Sequence, residues 1–138
     1  MDLITHYEFD SDCFPPDPGE EETINPGCYG KKLANFVCAG LSNHGYRAGT
    51  PFAEDWGWIV PVKNLGFNIW VGCGASQDHE NAFLCYVHPH KPSIFHFFKR
   101  KKVESEIIKL SRTLKSVLSY DGISKLREIT YVQCMTGA

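Results

Sequence analysis

The sequence predicts an α+β two-layer sandwich: an antiparallel β-meander with two main helices, in the order β-α-β-β-β-(β)-α-β. Three observations predict it. Two stretches, one early and one late, repeat apolar residues at helical spacing. Between them lie runs rich in β-branched and aromatic residues, joined by short polar linkers, as in a meander. Helices separated by a meander argue for two packed layers.

The elements follow in order. "LITHYEF", Leu3 to Phe9, suits a short first strand. "DCFPPDPGEEETINPG" holds four prolines and an acid run, and reads as an extended arm leading into a helix. Asn25 suits the N-cap of that helix and Pro26 its first position, where the missing N–H costs nothing. Tyr29, Leu33, Phe36, Val37 and Leu41 give it one apolar face, and Gly45 suits a left-handed stop. "EDWGWIVPV" and "FNIWVGCG" flank the turn-length linker "KNLG" and suggest a hairpin. "AFLCYVH" follows a polar loop as the next strand, and "PSIFHFFKR" is ambiguous between a fourth strand and a helical turn. Val103, Ile107, Leu110, Leu114, Val117 and Leu118 form the stripe of the second helix, which "DG" at 121–122 stops. "LREITYV" alternates as a last strand.

A chain of 138 residues is long enough for one domain with a real core. We divide it into an acidic N-terminal strand and arm, residues 1–24, and a single α+β domain, residues 25–138. Residues 1–24 hold eight acids and no Lys or Arg, whereas the rest holds fourteen bases against eight acids, densest at Lys99 to Lys102. No apolar run reaches the roughly 18–20 residues that span a membrane. The N-terminus has neither a basic n-region nor an apolar h-region, so a cytoplasmic location is expected. Six cysteines, widely spread and without a CxxC, read as free thiols in a reducing compartment.

Pairing Val62 with Phe67 in the hairpin places Val60 opposite Ile69, Trp58 opposite Val71 and Trp56 opposite Cys73, all on a core face. The other face then holds Asp55, Gly57, Ile59, Pro61, Asn68, Trp70, Gly72 and Gly74, and an in-phase third strand adds Tyr86 and His88. Three glycines on one face leave a shallow trough beside Trp70. A floor without side chains, edged by Trp70, Tyr86, His88 and Asp55, suits a ligand or a partner's backbone. Its simplest alternative is a packing seat for an element of the same chain, such as the N-terminal arm.

No catalytic signature emerges. Glu54 and Asp55 are adjacent in a strand and point to opposite faces, so they do not converge on one substrate atom. Cys73, His79, Cys85, His88, His90 and His96 lie close in sequence but match no tight zinc spacing. Cys85 and His88 fall on opposite faces, and Cys28, in the expected first helical turn, is the better reactive thiol. There is no GxSxG, Walker loop or dinucleotide glycine pattern. "FHFFKRKK" interleaves aromatics and bases as single-strand nucleic-acid surfaces do, but the isoelectric point near 6.3 argues against that partner. The strings "NPGCYG", "AEDWGW" and "VGCG", within residues 25–75, resemble a small uncharacterised bacterial protein family with NPGxYG and EDWGW-type motifs; the resemblance implies no activity.

The expectation is therefore a cytosolic protein that acts by protein–protein contact, most concretely an immunity or inhibitor protein against a toxin or effector. The partner is expected to be a protein, basic enough to meet the acidic arm; homodimerisation through edge strands is a further option. No cofactor, metal or catalytic residue is expected. The alternative is a small-molecule-binding domain or modest enzyme that uses Asp55, Trp70, Tyr86 and His88 with Gly57, Gly72 and Gly74 as floor.

Overall fold

The computed structural model describes residues 3–63, 69–76, 78–89 and 97–130, with the backbone alone for 89 and 97–102. The element order is β1 (Ile4–Asp10), α1 (Glu20–Thr23), α2 (Lys31–Asn43), β2 (Phe52–Glu54), β3 (Gly57–Val62), β4 (Ile69–Ala75), β5 (Ala82–Pro89), α3 (Phe97–Leu118) and β6 (Ser124–Thr130). The strands form one antiparallel sheet in the order β2-β3-β4-β5-β1-β6. The α+β class and the two main helices are as the sequence predicts. The short strand β2 and the short helix α1 were not anticipated. Of the ambiguous stretch 92–100, residues 97–100 begin α3 and the rest lies outside the described residues.

The strands alternate between two environments. Tyr7 and Phe9 of β1, Val60 and Val62 of β3, Val71 and Cys73 of β4, and Phe83, Cys85 and Val87 of β5 turn toward the helices. They meet Leu33, Val37 and Leu41 of α2 and Ile107, Leu110 and Leu114 of α3 in one core. Each fully buried Val, Leu or Phe there contributes about 1.5–3 kcal/mol before conformational entropy is subtracted. Tyr7 closes the α3 side: its hydroxyl donates to the Ser111 carbonyl at 2.9 Å, and the Ser111 hydroxyl lies 2.8 Å away. Burial pushes the Tyr7 phenol above its ordinary range.

The β3–β4 register differs from the expected one by two residues: Val62 opposes Ile69, Val60 opposes Val71 and Trp58 opposes Cys73. An even slip keeps every side chain on its expected face, with one exception. Glu54 pairs with Gly57, so Asp55 and Trp56 form a two-residue turn between β2 and β3 rather than the start of one long strand. Trp56 thereby leaves the core face assigned to it.

The start of α2 also differs. The helix begins at Lys31, not Pro26, so Cys28 is outside it. Gly27 has φ +78 and the Cys28 N–H bonds back to the Asn25 carbonyl, which closes a turn where a helix was expected. The helix stop agrees: Gly45 adopts φ +89, where an L side chain is strained.

Candidate functional site

Both main helices pack on one side of the sheet. On the other side, pairing brings together residues from five strands. Phe52 opposes Ile59, Ile59 opposes Gly72, Pro61 opposes Trp70, Gly72 opposes Tyr86, Trp70 opposes His88, and Tyr86 opposes His6. The Asp55–Trp56 turn folds Trp56 onto the same face. Its ring stacks on Trp70 at 6.0 Å between centroids and meets Tyr86 at 5.6 Å. Trp70 stacks on His88 at 4.5 Å and meets Tyr86 edge-on at 5.7 Å. Tyr86 lies nearly parallel to His6 at 4.9 Å. Five rings from the β2–β3 turn, β4, β5 and β1 thus form one continuous aromatic surface. Trp56 is 37% exposed and Phe52 46%.

Trp70, Tyr86 and His88 come together, and Gly57, Gly72 and Gly74 lie beneath and beside them. Asp55 is exposed in the turn, and its carbonyl accepts the Asn25 side-chain amide at 2.9 Å. The glycine trough is not an open cavity. A methyl group on Gly72 would collide with the Tyr86 ring, so the glycine is the seat on which that ring lies. Gly74 faces the Trp56 backbone and ring. The N-terminal arm does not fill the face either: Phe14 packs on Phe36 and Phe83, on the helix side.

Sequence reasoning missed three residues. Trp56 was assigned to the core and is on the aromatic face. His6 was read only as part of a strand, and it is nearly buried against Tyr86, with Nδ1 2.7 Å from the Thr5 hydroxyl. Burial, and then the neighbouring His88, hold the His6 imidazole below its ordinary range. Period-2 alternation through "ITHYEF" was the available signal, because it puts His6 opposite in sense to Tyr7. The third is Glu20. This buried carboxylate accepts the N–H groups of Gly30 (2.8 Å) and Lys31 (3.0 Å) and the Trp58 indole N–H (2.8 Å) on Oε2, and the Asp17 N–H (2.9 Å) on Oε1. It satisfies the first donors of α2 from ten residues upstream, which Gly30 as N-cap has no side chain to do. No local pattern announces such a contact.

Glu20 belongs to a junction of three motifs. A Cβ on Gly30, or on Gly57, would sit 2.7 Å from the Cys73 carbonyl oxygen. The Ala75 N–H donates to the Tyr29 carbonyl at 2.9 Å. "NPGCYG", "AEDWGW" and "VGCG" therefore meet by backbone approach, and the contact fixes the turn that carries Trp56.

Other chemistry is sparse among the described residues. Cys73 and Cys85 face each other in the core with sulfurs 3.6 Å apart, and burial pushes the Cys85 thiol well up, away from nucleophilic use. Among the described residues no group of three or more His, Cys, Asp or Glu is placed to hold a metal ion; His90 and His96 lie outside them, as do the side chains of Lys99 to Lys102. A cavity of about 380 Å³ at the β1 end is lined by Glu8, Asp10, His79, Lys125 and Arg127. Arg127 pairs with Glu8, and His79 and Lys125 with Asp10, while Asp78, which also lines the cavity, has no ion pair among the described residues. No helix of the described residues is long and apolar enough to cross a membrane. Comparison with protein-family models, with curated proteins and with solved structures finds no match for this chain.

Proposed function

We propose that this protein works by docking another protein on the outer face of its sheet, as an immunity or inhibitor protein docks on a toxin or other effector. One observation carries the reading: Trp56, Trp70, Tyr86, His88 and His6 stack into a single surface on the side of the sheet that neither main helix covers. Tryptophan and tyrosine are the side chains that most often dominate binding energy at interfaces, because they bury large rigid area at small entropic cost. The rings rest on one another and on glycine, so they are held in place before a partner arrives, which reduces the cost of association. An aromatic face whose glycine floor is filled by its own rings fits a protein surface better than a small molecule.

The test is retention of a host protein on the immobilised chain. The wild type and Lys109→Glu, on the exposed side of α3, are expected to retain the same partner. Trp70→Ala is expected to weaken it by about thirtyfold or more, the effect of losing a central aromatic anchor. A partner retained equally by Trp70→Ala, with far-UV circular dichroism unchanged, refutes the proposal.

A further inference from the structure

We infer that the docked surface is basic: a loop or helix of the partner that lays arginine or lysine side chains over Trp56 and Trp70 and pairs them with carboxylates at the same end of the sheet. The inference rests on the docking function proposed above and specifies its partner.

Glu54 pairs with Gly57 and shares the outer face with it, and Asp55 precedes Trp56. The β4–β5 loop, with Asp78 and Glu80, leaves the sheet at this same end, since Gly57 packs against Cys73 and Gly74 near the end of β4. Asn25 ties α1, with Glu21 and Glu22, to the turn through the Asp55 carbonyl. None of these six carboxylates has an ion-pair partner among the described residues. The nearby bases already engage other acids: Lys31 and Lys32 share Asp17, Lys125 shares Asp10 with His79, and Arg127 pairs with Glu8. This end therefore carries an uncompensated negative field beside exposed aromatic surface. Such a field attracts cations and repels nucleic acid and anionic lipid.

The tryptophans supply the other half of the recognition. A guanidinium or ammonium group is attracted to an indole face, and arginine also stacks on it. The molecule already shows this chemistry at its own edge, where the Lys31 ammonium lies 5.7 Å from the centre of the Trp58 ring. Trp56, exposed and preceded by Glu54 and Asp55, offers the same arrangement to an incoming chain.

The probe is a synthetic peptide of alternating arginine and glycine, with a glutamate–glycine peptide as control, titrated against the full chain while tryptophan fluorescence is followed. Saturable binding of the arginine peptide alone is expected, weakening steeply with salt. Trp56→Ala and the double variant Glu54→Gln/Asp55→Asn are each expected to weaken it about tenfold, while Glu106→Gln on α3 leaves it unchanged. Absence of binding, or equal binding by all variants, overturns the inference. The host partner separates this from failure of the docking reading. A partner lost by Trp70→Ala but kept by Glu54→Gln/Asp55→Asn refutes the basic surface and leaves docking intact. A partner kept by both refutes both.

Discussion

Replacing Glu20 tests whether a distant carboxylate, rather than a local cap, starts α2. In Glu20→Ala the N–H groups of Gly30 and Lys31 lose their acceptor, as does the Trp58 indole N–H. Loss of an N-terminal cap costs about 0.5–2 kcal/mol. Loss of the negative charge near the helix N-terminus costs about 0.3–1 kcal/mol, and more when partly buried. A buried N–H left unpaired costs about 1–3 kcal/mol. These terms overlap, because water enters the space vacated and reaches some of the donors. A net loss of about 3 kcal/mol is expected, against a total stability of about 5–15 kcal/mol for a domain of this kind. Glu20→Gln keeps one acceptor oxygen, and is expected to cost about 1–2 kcal/mol. Urea unfolding followed by tryptophan fluorescence and by far-UV circular dichroism measures both, with the denaturant slope unchanged from wild type. A Glu20→Ala protein within about 0.5 kcal/mol of wild type, less than the loss of a typical cap, refutes the reasoning. Equal costs for the two variants refute the part assigned to the acceptor atoms.

Two further predictions concern the aromatic face. The His6 imidazole is held below its ordinary value of 6.5, first by burial and then by His88, so the unfolded chain binds its proton more readily than the folded one. The stability that neutral His6 contributes is full above that ordinary value and is lost as the pH falls through the lowered folded value. Unfolding free energies at about pH 7.5 and about pH 5 are expected to fall more for wild type than for His6→Gln, and identical slopes refute the assignment. Gly57→Ala drives a methyl group against the Cys73 carbonyl, which is backbone, whereas the atoms nearest a Gly72→Ala methyl belong to the Tyr86 side chain. The first is expected to cost about 2–3 kcal/mol, and the second to lower stability less while altering near-ultraviolet circular dichroism as the ring is displaced. A Gly57→Ala protein as stable as Gly72→Ala removes the close approach from the account.

Much of the sheet was legible because its period is two. The hairpin register was misplaced by two residues, yet Val60, Val71, Trp70 and Gly72 kept their faces, since only an odd slip inverts a strand. The α3 stripe was legible for a similar reason: six apolar residues at helical spacing leave one way to face a core, and all six are buried. The turn at Asp55–Trp56 was not legible. It lacks the Asn-Gly or Asp-Gly chemistry that marks a tight hairpin, and aromatic residues around it favour a strand reading. The start of α2 failed for a different reason. Asn25 and Pro26 make a sound local N-cap signal, but the Asn25 amide is used on the Asp55 carbonyl thirty residues away. In the sequence Glu20 is one acid of the run in an extended arm, and only the three-dimensional meeting of Gly30, Lys31 and Trp58 gives it a buried role.

The three conspicuous strings bear on function by what they position. Gly30 and Gly57 approach the Cys73–Gly74 backbone closely, and neither contributes a group that reacts or titrates. The outcome of that approach is geometric: the β2–β3 turn is pinned to the end of β4, and Trp56 is brought over Trp70 and Tyr86. Without the pin, a three-residue edge strand has little to hold its turn, and an exposed tryptophan there loses its orientation. Glycine in "VGCG" then serves two partners at once, with Gly72 admitting Tyr86 and Gly74 admitting the turn. A sequence can carry such constraints without any catalytic residue, because what they protect is the arrangement of a surface. On this view the acids of "AEDWGW" and its first tryptophan meet the partner, while its glycine and second tryptophan, bonded to Glu20, hold that pair in place.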